Sequence, residues 1–268
     1  MDQAKICFIT AIYGNYESTC KKYVKQTVPT DFICFTDNPN MTANGWIVDT
    51  TPYHITHKSP LDNDTYVNSN CNNKHTFNIA KYYKQAFRNI PILQKYDVIV
   101  WLDGTVELIY DKISEYLLTH IYNSKIIGWH HEHRHGHLQG EVRASHFFRY
   151  TSTYWNGQHQ PLQDIDKQYT DYLADGYDET FFNIPNRSEH LGVWITCFVA
   201  FYQKDNDVID FLDKWYIETL THTTQDQISF PYVCWKKQMI PMTLPNCDIG
   251  GNAPHQYTMF YIKHNHGQ

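Results

Sequence analysis

Asp97-Val-Ile-Val-Trp-Leu-Asp-Gly-Thr-Val-Glu-Leu108 is the stretch whose reading decides the fold. Its unbroken apolar run from Val98 to Leu102 predicts a strand buried on both faces, as in a parallel sheet covered by helices. The strand terminates in a carboxylate, Asp103. If the chain stays extended, Asp103, Thr105 and Glu107 share one side, because side chains alternate with period two. Two carboxylates and a hydroxyl on one edge suit a hard divalent cation. The competing reading is a turn opened by Asp103-Gly104.

Upstream, Ile6 to Ile12 is almost continuously apolar and runs into Tyr13-Gly14-Asn15-Tyr16. Phe32 to Thr36 is a second such strand, closed by Asp37-Asn38-Pro39, and Gly45 to Asp49 a third. Residues 54–76 are polar and turn-rich and read as a long loop. Ile79, Tyr83, Ala86 and Ile90 then recur at helical spacing, with Thr76 or Asn73 as the cap and Pro91 as the stop. Downstream, Ile113, Leu117 and Ile121 mark a helix over 111–122, and Lys125 to Trp129 a short strand. Residues 130–160 form the least regular stretch. A helix over 164–175 ends at Gly176. Gly192 to Tyr202 is rich in strand formers, and 207–220 is an amphipathic helix. Ser229-Phe230-Pro231 is read as opening a last helix, since proline suits a first turn. Strands alternating with helices imply a mainly parallel sheet with crossover helices. The expectation is one α/β domain over 1–268 with an irregular second half.

Composition narrows the functions. Of 268 residues, 42% are hydrophobic, enough for a substantial core, and a net charge of −6 gives no drive toward nucleic acid. The 16% of aromatic residues suits sugar and base stacking, although most tyrosines are expected to pack the core. Seven cysteines occur without a Cys-x-x-Cys pair, which points to a reducing compartment. No charged-then-apolar leader precedes the first strand and no apolar stretch spans a bilayer, so the expectation is a cytoplasmic protein. On that view the glycosylation sequons at Asn40, Asn63 and Asn186 are chance matches.

Ligands of open α/β sheets bind at the carboxyl ends of the strands. Tyr13-Gly14-Asn15, Asp37 and Asp103 lie at such ends. His130 to His137 holds five histidines, with no spacing that matches a closed structural metal site. A polar active-site loop is the preferred reading.

Several segments together resemble a glycosyltransferase-like family that includes plant mucilage-related and turgor-regulation-defect proteins. They are, in order, Ile9 to Tyr16, Asp31 to Asp37, Asn78 to Lys84, Tyr96 to Leu108, His131-Glu-His-Arg134 and Asp226 to Tyr232. The resemblance implies a glycosyltransferase-A-like (Rossmann-like) fold and a nucleotide-sugar donor, with residues 1–110 as the donor half and 111–268 as the acceptor half. The implied reaction moves a hexosyl or pentosyl group to a carbohydrate or other hydroxyl acceptor. It places the nucleotide near Ala11, Ile12, Tyr13, Tyr16 and Asp37, and the diphosphate near Lys81, Asp103 and Gly104. It often brings Mn²⁺, with Mg²⁺ as the alternative, held at Asp103 and Thr105, with His264 or His266 contributing from the tail. Thr105 stands where that pattern has a second Asp. A cation neutralises charge growing on the leaving diphosphate, and Lys81, Lys84 or Arg134 can do so without one. Asp226 is implied to act at the acceptor, as base or clamp, so Asp226, Asp103 and Arg134 form the implied catalytic set. Two other functions compete: a metal-dependent hydrolase using the histidines with Glu132 or Glu141, and a non-catalytic sugar- or nucleotide-binding module.

Overall fold

A computed structural model describes residues 4–56, 76–151, 164–183, 191–244 and 260–262. Seven strands form one sheet: β1 (Ile6–Ile12), β2 (Thr30–Thr36), β3 (Ile47–Asp49), β4 (Val98–Leu102), β6 (Ile126–His130), β7 (Trp194–Tyr202) and β8 (Met242–Thr243). Their order is β3-β2-β1-β4-β7-β6-β8. The pairs β3/β2, β2/β1, β1/β4 and β6/β8 are parallel, and β7 runs antiparallel to both its neighbours. The expected mainly parallel α/β domain is therefore present.

The helices are α1 (Tyr53–Thr56), α2 (Thr76–Gln85), α3 (Ile113–Ser124), α4 (Leu138–Thr151), α5 (Ile165–Ala174), α6 (Asn206–Thr221) and α7 (Asp226–Lys236). Strand alternation divides the core into two layers. Ile99 and Trp101 of β4 point toward α2, α6 and α7 together with Tyr83, Phe211 and Trp215. Val98, Val100 and Leu102 point to the opposite face, with Leu117 and Ile121 of α3. A two-stranded sheet joins β5 (Val106–Leu108) to β9 (Phe260–Ile262). The remainder of the tail, including His264 and His266, lies outside the described residues, as do Asn73 and most of the expected 54–76 loop.

Four sequence expectations are corrected. The chain does not stay extended past Asp103: Val106 N–H donates to the Asp103 carbonyl at 2.9 Å, closing a turn over Gly104 and Thr105. Any side chain at Gly104 would press on Ile12, whose Cγ1 would stand 3.1 Å from the added Cβ. Second, residues 138–151 are the regular helix α4, not irregular chain. Leu138, Val142 and Ser145 are buried at helical spacing, but Gly140 and the neighbouring histidines obscure that stripe. Third, α7 starts at Asp226, and Pro231 sits inside it rather than in its first turn. Its N-cap, Gln225, makes no side-chain capping bond, and the Asp226 carboxylate in the first turn pairs with Lys81 and Lys84. The helix expected over 79–90 also ends early, at Gln85, although Ala86 and Ile90 still enter the core.

Cys7, Cys20, Cys34 and Cys234 are buried free thiols, Cys197 is buried, and Cys71 and Cys247 lie outside the described residues. Among the described residues, no helix is long and apolar enough to cross a membrane.

Candidate active site

A cavity of about 320 Å³ opens where β1 and β4 end. Its walls come from six elements: β1 and its turn (Ala11, Tyr13, Tyr16), α2 (Ala80, Lys81), the β4 turn (Trp101, Asp103, Gly104, Thr105), the start of β7 and the first turns of α4 and α7.

One end is a buried charge network. Asp226, 5% exposed, stands 2.8 Å from Lys81 Nζ and 2.5 Å from Lys84 Nζ. The lysines are three apart on α2 and so share one helix face. Lys84 is 1% exposed, lies over the rings of Trp101 and Trp215 at 5.6 and 5.7 Å, and reaches Asp103 Oδ1 at 3.9 Å. Trp101 Nε1–H donates to the same Asp103 oxygen at 2.6 Å. Burial works to raise the Asp226 pKa, but the two ammonium groups outweigh it and hold the carboxyl at about 2. Burial is likewise the largest influence on Lys81 and lowers its pKa, with Asp226 opposing. Lys81, Lys84 and Asp226 together carry one net positive charge, and Lys81 lines the cavity. Of the two helix lysines weighed against a solvated face, Lys84 is fully internal.

The second end is built by α4. Glu141 Oε2 accepts from Arg134 Nε at 2.7 Å, and Ser145 Oγ donates to Oε1 at 3.1 Å. His131 Nε2 lies 3.7 Å from Glu141 Oε2. Burial, then the charges of Arg134, His133 and His130, pushes the His131 pKa down to about 4, so the ring is neutral at pH 7. Gly192, at φ +140°, lies so close to the Gly136 carbonyl that an added Cβ would stand 2.4 Å from its oxygen. This contact holds the start of β7 against the turn before α4.

The expected site residues therefore separate. Ala11, Tyr13, Tyr16, Lys81, Asp103, Gly104, Thr105 and Asp226 line one cavity. Ile12 does not, because alternation along β1 turns it into the opposite core layer. Asp37 is exposed and accepts from Gly14 N–H at 3.1 Å, bracing the β1 turn outside the cavity lining. Arg134 stands behind Glu141. Tyr13 donates to Tyr83 Oη at 2.8 Å, and His54 Nδ1 lies 3.2 Å from the same oxygen. The histidine run is not gathered: His131 faces Glu141, while His137 pairs with Glu179 at 3.1 Å. Glu141, Ser145 and Thr196 are lining residues that the transfer reading of the sequence did not include.

Among the described residues, no group of three His, Cys, Asp or Glu side chains could hold a metal ion. Among the described residues, Asp103 and Thr105 would leave the other ligands of such a cation to phosphate and water, as is common for Mg²⁺.

No protein-family model matches the chain, and no curated protein matches it. Solved structures do share the fold. The mouse xyloside xylosyltransferase 1 apo form is 8% identical with a TM-score of 0.53, over 97% of each chain. The apo structure of the WbbM bifunctional glycosyltransferase is 10% identical with a TM-score of 0.51, over all of this chain and 47% of that one. The chain thus spans about half the length of WbbM. The fold is a single α/β domain of the glycosyltransferase-A type.

Proposed function

We propose that the protein transfers a sugar from a nucleoside-diphosphate donor to a hydroxyl acceptor. The observation that carries this reading is the cationic Lys81–Asp226–Lys84 network, which faces Asp103 across the strand-end turn inside a fold of this type. Lys81 is the ligand for the donor phosphates. Asp226 fixes that ammonium in the cavity, and Lys84 holds Asp226 and Asp103 in register from below. Tyr13 and Tyr16 supply aromatic surface to the nucleoside side. A Mn²⁺ or Mg²⁺ ion bound with the donor at Asp103 and Thr105 would supply further charge neutralisation to the leaving diphosphate. The acceptor enters from the α4 side, and Asp226 is the residue of the 111–268 half that serves the donor end. Arg134 acts through Glu141. Kinship with the plant mucilage-related and turgor-regulation-defect proteins rests on motif order alone.

The test is a thermal-shift screen of nucleoside diphosphates and nucleotide sugars, with and without Mn²⁺. A ligand at a hundred times its dissociation constant should raise the melting temperature by on the order of 5 °C. Lys81→Ala should remove most of that shift. Donor binding without turnover over many acceptors would favour a binding module instead. The cytosolic assignment belongs to this proposal and rests on the buried free thiols. Stable disulfides found by mass spectrometry in the native source would sink it.

A further inference from the structure

Three carboxylates open onto the cavity: Asp103, Asp226 and Glu141. The first two face the α2 lysines. Asp226 is pinned between two ammonium groups and makes a poor proton acceptor. Asp103 sits against Lys84 and Trp101 where the diphosphate is placed. Glu141 stands on a different wall, in the first turn of α4, buried at 7% exposure yet facing the cavity. One guanidinium engages its Oε2, and its Oε1 meets a hydroxyl, that of Ser145. A hydroxyl can rotate aside for an incoming ligand, whereas two ammonium groups cannot. The neighbouring His131 adds no positive charge at pH 7, being buried and neutral.

We infer that Glu141 is the general base that takes the proton from the acceptor hydroxyl, with Arg134 and Ser145 as its positioning residues. This rests on the glycosyl-transfer reading. The acceptor oxygen forms a bond to the anomeric carbon. The bond from that carbon to the diphosphate oxygen breaks, and its electron pair leaves with the diphosphate. The acceptor proton moves to Glu141, and from there to solvent. Glu141 comes from α4, a different element from the α2, β4 and α7 residues around the diphosphate. A single displacement inverts the anomeric configuration. The α4 wall, presenting carboxylate and hydroxyl oxygens, selects a neutral, polyhydroxylated acceptor over an anionic one.

The experiment uses the full chain with a donor and acceptor that it turns over. Glu141→Gln keeps the size and loses the base. Transfer should fall at least about a hundredfold, while calorimetric affinity for the nucleoside diphosphate stays within about threefold. Glu141→Ala should regain turnover in sodium azide, because azide carries no proton to remove, and the product should be a glycosyl azide of inverted configuration. Transfer by Glu141→Gln within about tenfold of the parent overturns the assignment. So does a parallel loss of nucleotide affinity, absence of the azide product, or retained configuration. If Glu141→Ala does not fold, as judged by circular dichroism, the Glu141→Gln result decides alone. Parent protein that turns over no donor fails the glycosyl-transfer reading, and this assignment with it.

Discussion

Lys84→Met is expected to destabilise the protein by ~3–5 kcal/mol and to lower its melting temperature by roughly 10 °C. Methionine keeps the length of the stem and removes the ammonium group. Asp226 then remains buried with Lys81 as its one cationic partner, and Asp103 loses the charge 3.9 Å away. The cost arises from stranding a buried carboxylate, not from the net worth of the pair. Contacts over Trp101 and Trp215 are lost as well. The acid dependence follows with a definite sign. Burial favours the protonated form of Asp226, but the lysines win and hold its pKa at about 2 in the folded protein, below the unfolded value of 3.8. Its stabilisation is therefore complete above about pH 4 and disappears as pH falls toward 2. In Lys84→Met the folded-state pKa of the carboxyl moves up toward its unfolded value, so the variant should lose less stability than the parent between pH 4 and pH 2. Urea denaturation at pH 7 and at steps down to pH 2 measures both effects. Unchanged midpoints in the variant would show that the network contributes nothing to stability. Asp226→Asn in the same background should cost much less than in the parent, since the two residues share one network.

Asp103→Asn should reduce sugar transfer by on the order of a hundredfold or more while leaving the fold intact. Asparagine keeps an oxygen to accept from Trp101 Nε1–H, now at 2.6 Å, so the turn should hold its shape. What disappears is the negative charge beside Lys84 and the one carboxylate at the strand end able to share a cation with the diphosphate. The side chain is 45% exposed, so its neutralisation should move the melting temperature by no more than about 2 °C. Thr105→Ala should cost less, having no charge to lose. Turnover and melting temperature for both variants across a Mn²⁺ titration separate the roles. Near-native turnover by Asp103→Asn removes it from the chemistry. Unfolding would make it a structural residue and move the search for a metal ligand to Glu107 or the histidines.

The strands were legible because their apolar runs are local. Ile6 to Ile12 and Val98 to Leu102 are buried along their whole length, as their composition demands. Asp103 was legible for the same reason, a carboxylate closing an apolar run. Helix α6 showed its stripe, and the structure adds its cap, the Asp205 side chain accepting from Asp207 N–H at 2.9 Å. Helix α4 was hidden by Gly140 and the flanking histidines, and the start of α7 by the absence of a capping side chain.

What the sequence by itself determined is an alternating α/β chain with polar groups at the ends of its strands, because burial on two faces and helical spacing are properties of neighbouring residues. Only the tertiary structure decided which of those groups meet. Period two sends Ala11 and Tyr13 to the cavity and Ile12 away from it. Packing of α2 against β1 and α6 buries Lys84 among tryptophans, where an isolated helix would leave it in water. The approach of α7 then places Asp226 between two lysines more than 140 positions earlier in the chain. That pairs Asp226 with both lysines, while Glu141 stands on α4. No local pattern encodes such a pairing, because the energy of a buried charge depends on partners that only the folded chain brings within a few ångströms.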